Sequence, residues 1–170
     1  MNPPPYRILY LNHVAGNGGA EAGLLDIVTH LNPEVFRPQV VLPKPGPLAD
    51  RLAQCGISVR FLPLQRLKKT LNPLKLLAVY VQVKSVARSL AELIRTDSID
   101  LVHANSTTAH LYGARAGQKT GVPTLWHCRD LVALGPLGKY LFRRAERVIA
   151  ISEAVEISLK QQGRARQKII

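Results

Sequence analysis

Short runs of Val, Ile and Leu alternate with stretches of helical periodicity along almost the whole chain, and this alternation restricts the fold more than any other feature. Arg7–Asn12, Gln39–Leu42, Ile57–Leu62, Ile99–Ala104, Thr124–His127 and Val148–Ile151 read as strands. Residues 20–31, 48–55, 73–96, 107–119 and 137–145, and the stretch from Ser152 to about 162, read as helices. The stretch 73–96 holds several β-branched residues, but its length favours a helix. Ile169–Ile170 reads as the start of a further strand, and residues 1–6, with three consecutive prolines, as a loose tail. Short strands that are apolar on both faces and separated by helices belong in a mostly parallel sheet. The expectation for 7–170 is therefore one α/β domain, a doubly wound, Rossmann-like sheet with helices on both faces.

Composition agrees with a folded domain. The 170 residues are 46% apolar and 20% charged, which suits one domain with a core of its own. Cys55 and Cys128 stand alone in sequence and suggest a reducing, cytoplasmic setting. Lys plus Arg number 23 against 11 acids, a net charge of +12. Such an excess suggests an anionic partner, whether nucleic acid, anionic membrane or phosphorylated small molecule. A basic half of a more balanced protein would show the same excess.

Polar residues collect where the strands should end, and ligands of open parallel sheets bind there. After the first strand comes Gly16-Asn-Gly-Gly19, then Ala20-Glu21 in the first helical turn. Gly18 and Gly19 let backbone approach a ligand, and the helix start offers free N–H groups to a phosphate. The loop lacks the third glycine of a dinucleotide fingerprint and the Gly-Lys-Ser/Thr of a P-loop. Glu21 is equally explained as a carboxylate at a helix N-terminus. His103 and Asn105 end one strand, His127 ends another, and Arg129, Asp130 and Ser152 follow strand ends. His127 can donate to a sugar hydroxyl or phosphate oxygen, and Arg129 can hold an anion or pair with Asp130. His13 resembles His103 in position, whereas His30 and His110 fall within helices and read as structural or exposed. No metal-ligand spacing and no Gly-x-Ser-x-Gly occurs, so neither a metal nor a serine nucleophile is expected.

Four segments in this order resemble the N-terminal domain of the retaining family 4 glycosyltransferases, which have the GT-B fold. They are Gly18-Gly-Ala-Glu21, Asp100-Leu-Val-His-Ala-Asn105, Gly121-Val-Pro with the following strand to His127 near Asp130, and Ala145-Glu-Arg-Val-Ile-Ala-Ile-Ser-Glu153. The likeness covers about residues 7–170. It implies transfer of a sugar from a nucleotide-sugar donor to an acceptor, with retention of anomeric configuration and without metal or other cofactor. It implies an acceptor-side domain in which Gly18 and Gly19 approach the donor diphosphate and His127, as the catalytic residue, contacts the donor sugar. Cys128-Arg129 between His127 and Asp130 departs from the family pattern. The family's nucleotide-binding C-terminal domain, with its basic residues and paired glutamates, is not in this sequence, so the chain is expected to be inactive alone.

Two other readings compete. One is a basic module for nucleic acid or other anions, although no zinc-finger or RRM signature is present and no specific nucleic-acid partner is expected. The other is a different nucleotide-dependent α/β enzyme, although Leu42-Pro43-Lys44 offers no acid at the end of the second strand. The acceptor stays open, lipid-linked or carbohydrate. The basic and apolar segment Gln65–Lys75, continued by Lys84 and Arg88, suggests peripheral contact with an anionic membrane, at its cytoplasmic face.

Overall fold

The computed structural model describes residues 5–66, 72–131, 135–162 and 169–170. Along these residues the elements run β1 (Tyr6–Leu11), α1 (Gly19–Thr29), β2 (Phe36–Leu42), α2 (Pro47–Gln54), β3 (Ser58–Phe61) and α3 (Pro73–Thr96). They continue as β4 (Leu101–Ala104), α4 (Thr107–Thr120), β5 (Thr124–Cys128), α5 (Gly135–Arg144), β6 (Arg147–Ala150) and α6 (Glu153–Gln161). The strands form one 6-stranded sheet in the order β3-β2-β1-β4-β5-β6, and every pairing is parallel. The doubly wound α/β class expected from the sequence is the class observed.

The two faces of the sheet have separate cores. Ile8, Tyr10, Val40 and Leu42 pack under α1 and α2 through Leu24, Leu25, Val28, Leu48 and Leu52. Leu9, Leu11, Val102, Ala104, Trp126 and Val148 face the other way, onto α3, α4, α5 and α6. Alternate residues of one strand thus serve opposite cores, as the two-residue period of a strand requires.

Four differences from the sequence expectations have local causes. Tyr6 belongs to β1, because it pairs with Phe36 and its N–H reaches the Val35 carbonyl at 2.7 Å. β2 begins at Phe36, not Gln39, and runs through Pro38. β2 bonds to β1 through its odd-numbered carbonyls (Val35 and Val41) and to β3 through Leu42. The missing N–H of Pro38 therefore faces the β3 side, where pairing starts only at Gln39–Ser58. β3 is an edge strand whose Ser58 and Arg60 are exposed, and it is not apolar on both faces. Ile169 makes an isolated parallel bridge to Val148, where a further strand was expected to start.

Candidate functional site

The strand order changes direction between β1 and β4, and in such sheets the crevice beyond the strand ends at this point receives ligands. Leu11 pairs with Ala104, and Ala104 with Trp126. The next residue on each strand is Asn12, Asn105 and His127, so the register brings three polar groups to one level at the mouth of the crevice. All three are buried. Two residues below and on the same face, the His103 ring lies between Tyr10, 4.9 Å away centroid to centroid, and His127, 5.6 Å away.

A directional hydrogen-bond network satisfies this buried polarity. Arg129 Nη2 donates to Asn105 Oδ1 at 2.9 Å, with its Nε at 3.3 Å from the same oxygen. Asn105 Nδ2 donates to Asn12 Oδ1 and to the Ala20 carbonyl, each at 3.0 Å. Asn12 Nδ2 donates to Glu21 Oε1 at 2.9 Å and to the Val14 carbonyl at 2.7 Å. The other Glu21 oxygen accepts the Gly18 N–H at 3.0 Å. A cation thus stands at one end and a carboxylate at the other, so the buried chain carries no net charge. Burial disfavours the Arg129 charge, and the Glu21 carboxylate supports it.

Glu21 therefore shapes the glycine loop from inside. It caps the first turn of α1, and a Cβ on Gly18 would collide with its carboxylate. A side chain at Gly18 would have to displace that carboxylate from the Gly18 N–H. Gly19 is different, since a Cβ there would meet nothing within 4 Å. The N-terminus of α1 therefore has open space beside Gly19, and its free N–H groups are suited to an anion.

Arg129 also fixes the chemistry of His127. Its Nη2 lies 3.4 Å from His127 Nδ1. A guanidinium only donates, so Nδ1 accepts and the neutral ring carries its proton on Nε2. Burial, then the Arg129 charge, lowers the His127 pKa to about 4. His127 is thus a neutral N–H donor near pH 7. His103 is pushed down to about 3, first by burial and then by His127 and Arg129, and its Nε2 has no partner among the described residues. His13 joins the crevice through a 2.9 Å contact between its Nδ1 and Ser106 Oγ, and Ser106 also caps α4. Burial, then Arg66, lowers the His13 pKa.

Of the residues singled out in the sequence, Gly18, Glu21, Asn105, His127 and Arg129 share this network, and His103 packs against it. Gly19 opens the first turn of α1 beside it. Asp130 is exposed on the loop after β5, and its carbonyl accepts a 3.8 Å contact from Cys128 Sγ. Ser152 is exposed beyond β6 and caps α6 through the Val155 N–H at 3.4 Å, apart from the network. Asn12 was missed. It was legible as a polar residue directly after an apolar strand, the same position that drew attention to Asn105. Of the other two histidines, His30 is exposed at the end of α1, while His110 is fully buried, stacked on Trp126 with its Nε2 3.0 Å from the Leu141 carbonyl.

The glycosyl transferase 4-like domain model matches residues 18–170, the segment that builds this crevice from the glycine loop onward. The chain belongs to the glycosyl transferase 4-like domain family. A search of curated protein sequences finds no match. Among solved structures, this glycosyl transferase 4-like domain is similar to Anabaena HepE in complex with UDP and glucose, with 26% identity and a TM-score of 0.70 over 96% of this chain and 43% of that one. It shares its fold with a Rickettsia africae glycosyltransferase at 20% identity and a TM-score of 0.72, over 97% of this chain and 42% of that one. The domain thus spans less than half the length of these structures.

Proposed function

We propose that this domain is the acceptor-side half of a retaining, nucleotide-sugar-dependent glycosyltransferase, in which His127 contacts the donor sugar. The observation that carries this reading is the state of His127: a neutral ring at the mouth of the crevice, with Nδ1 held by Arg129 and its proton on Nε2. The UDP-glucose complex of HepE, whose domain of this fold is 26% identical, supports the choice of donor class.

In this reading the acceptor hydroxyl replaces the diphosphate at the anomeric carbon. The free N–H groups at the start of α1 face the leaving diphosphate, and His127 Nε2–H holds a donor-sugar hydroxyl. A second domain, as in the longer structures, supplies the opposite wall and most of the charge that neutralises the diphosphate. Misplacing reacting groups by about 1 Å costs roughly a hundredfold in rate, so one wall alone does not catalyse.

The test is sugar transfer from a panel of nucleoside diphosphate sugars, by this chain alone and by a longer form carrying a second α/β domain. Turnover is expected only from the longer form. Within it, His127→Ala is expected to lower kcat roughly ten- to a hundredfold with a smaller change in acceptor KM, the pattern of a contact strengthened in the transition state. Saturable turnover by the isolated chain, or unchanged kcat in His127→Ala, contradicts the reading.

A further inference from the structure

Helix α3 is too long for the core that it covers. Its buried residues are Val83, Val86, Ala87, Leu90, Ala91 and Ile94, all beyond its first three turns and all part of the core shared with α4 and the sheet. The preceding turns project past the domain, yet they are not polar. Leu74 is 76% exposed, Leu77 59% and Val81 56%, with Leu76 and Tyr80 also exposed. Large apolar side chains clustered in water mark a surface that another phase or molecule covers.

The order of residues along the outer stripe says what covers it. At 3.6 residues per turn, Leu74, Leu77, Val81, Lys84 and Arg88 fall on one line, on the side opposite Val83, Val86 and Leu90. The stripe is apolar at the projecting end and becomes basic one turn later. Arg88 lies about 10 Å from Val81 along the axis at about 1.5 Å per residue. Tyr80 sits at the transition, with the Arg115 guanidinium of α4 5.0 Å and Lys84 Nζ 6.0 Å from its ring centre. No Asp or Glu occurs between Asp50 and Glu92 or anywhere in α4. Among the described residues, no helix is long and apolar enough to cross a membrane.

From this arrangement we infer that the projecting end of α3 docks on an anionic lipid surface. Leu74, Leu77 and Val81 enter the boundary between headgroups and acyl chains, and Lys84, Arg88 and Arg115 meet the lipid phosphates. An apolar tip with a basic collar matches the order of acyl chain and phosphate across a leaflet. Tyr80, apolar in body and polar at its tip, suits the level between them. A second copy of the chain is a poorer occupant, because it would set one cationic collar against another. The segment Gln65–Lys75 also suggested membrane contact from sequence. Lys68 and Lys69 in it lie outside the described residues, and the inference stands on α3 and α4 alone. It is independent of what the crevice binds.

The experiment is sedimentation of the protein with vesicles of phosphatidylcholine, with and without phosphatidylglycerol. Binding is expected to the mixed vesicles only, and to weaken with salt. Each Lys or Arg at such a surface contributes roughly fivefold, so Lys84→Gln with Arg88→Gln is expected to weaken binding about thirtyfold. Leu74→Ser with Leu77→Ser and Val81→Ser is expected to abolish binding at any salt, with an unchanged thermal midpoint because these side chains are exposed. A Leu77→Trp reporter is expected to shift its emission to the blue on adding mixed vesicles. No vesicle binding at low salt overturns the inference. So does full binding by the triple serine variant, which would mark mere charge attraction, or a dimer that this variant dissolves without any lipid effect.

Discussion

Arg129 and His127 share one hydrogen bond, and it sets which ring nitrogen of His127 carries the proton. Because the Arg129 charge also lowers the His127 pKa, Arg129→Met is expected to raise the midpoint from about 4 towards the ordinary 6.5. Burial remains in the variant, so the rise is expected to be partial. Titration of the His127 ring signals by NMR, in the wild type and in Arg129→Met, checks this, and an unchanged midpoint contradicts it. The same shifts bear on stability. His103, His127 and His110 have folded-state pKa values of about 3, 4 and 4, below the 6.5 of an unfolded histidine. Between these values the unfolded chain binds more protons than the folded one, so stability is full above about pH 6.5 and is lost as pH falls from there towards 3. Thermal midpoints between pH 7 and 4 are expected to fall steeply, and His110→Asn is expected to flatten the dependence by about one proton. From sequence, His103 and His127 were legible as residues at strand ends. The tautomer was not, since it depends on Arg129 folding back onto its neighbour two residues away.

At the level of elements, close contacts distinguish glycines that the sequence leaves equivalent. A Cβ on Gly117 would lie 2.5 Å from Thr124 Cγ2 and 2.8 Å from the Val122 carbonyl, so Gly117 lets α4 pack tightly on β5. Gly117→Ala is expected to lower stability by about 1–3 kcal/mol, the usual range for overpacking. Gly19→Val meets open space and is expected to leave the thermal midpoint almost unchanged while it weakens donor-dependent activity in the longer form. Equal midpoints for the Gly117→Ala and wild-type chains, or unaltered kinetics for Gly19→Val, contradict these assignments. Gly23 faces the Arg129 guanidinium, whose Nη2 lies 3.5 Å from where its Cβ would be. Helix positions were the most legible part of the sequence. α3 spans Pro73–Thr96, the range its periodicity gave, with Asn72 capping it through the Leu74 and Lys75 N–H groups. Gly121 ends α4 at φ 77°, a left-handed conformation in which glycine carries no Cβ penalty. Strand starts were less legible, because pairing partners extend β2 back through Pro38, and a proline ordinarily argues against a strand.

For the whole molecule, the strand–helix alternation determined the class, and the change of strand order between β1 and β4 located the crevice. The order itself was not legible, because a run of apolar residues does not state which neighbour it pairs with. From the sequence, Arg129 and the basic segment around Lys84 and Arg88 were read separately, and the structure gives them different surroundings. Arg129 is tied into the crevice network, whereas Lys84, Arg88 and Arg115 border the projecting end of α3. A nucleoside diphosphate sugar and an anionic surface are therefore expected to perturb different residues. The most direct test of the central claim is an amide and histidine NMR map of this chain during titration with nucleoside diphosphate sugars at physiological salt. The account predicts weak, saturable shifts for at least one of them, confined to Gly18, Gly19, Ala20, Asn105 and the His127 ring. Shifts confined to α3 and α4 that vanish with added salt, or no saturable shift at the crevice with any donor, would contradict it.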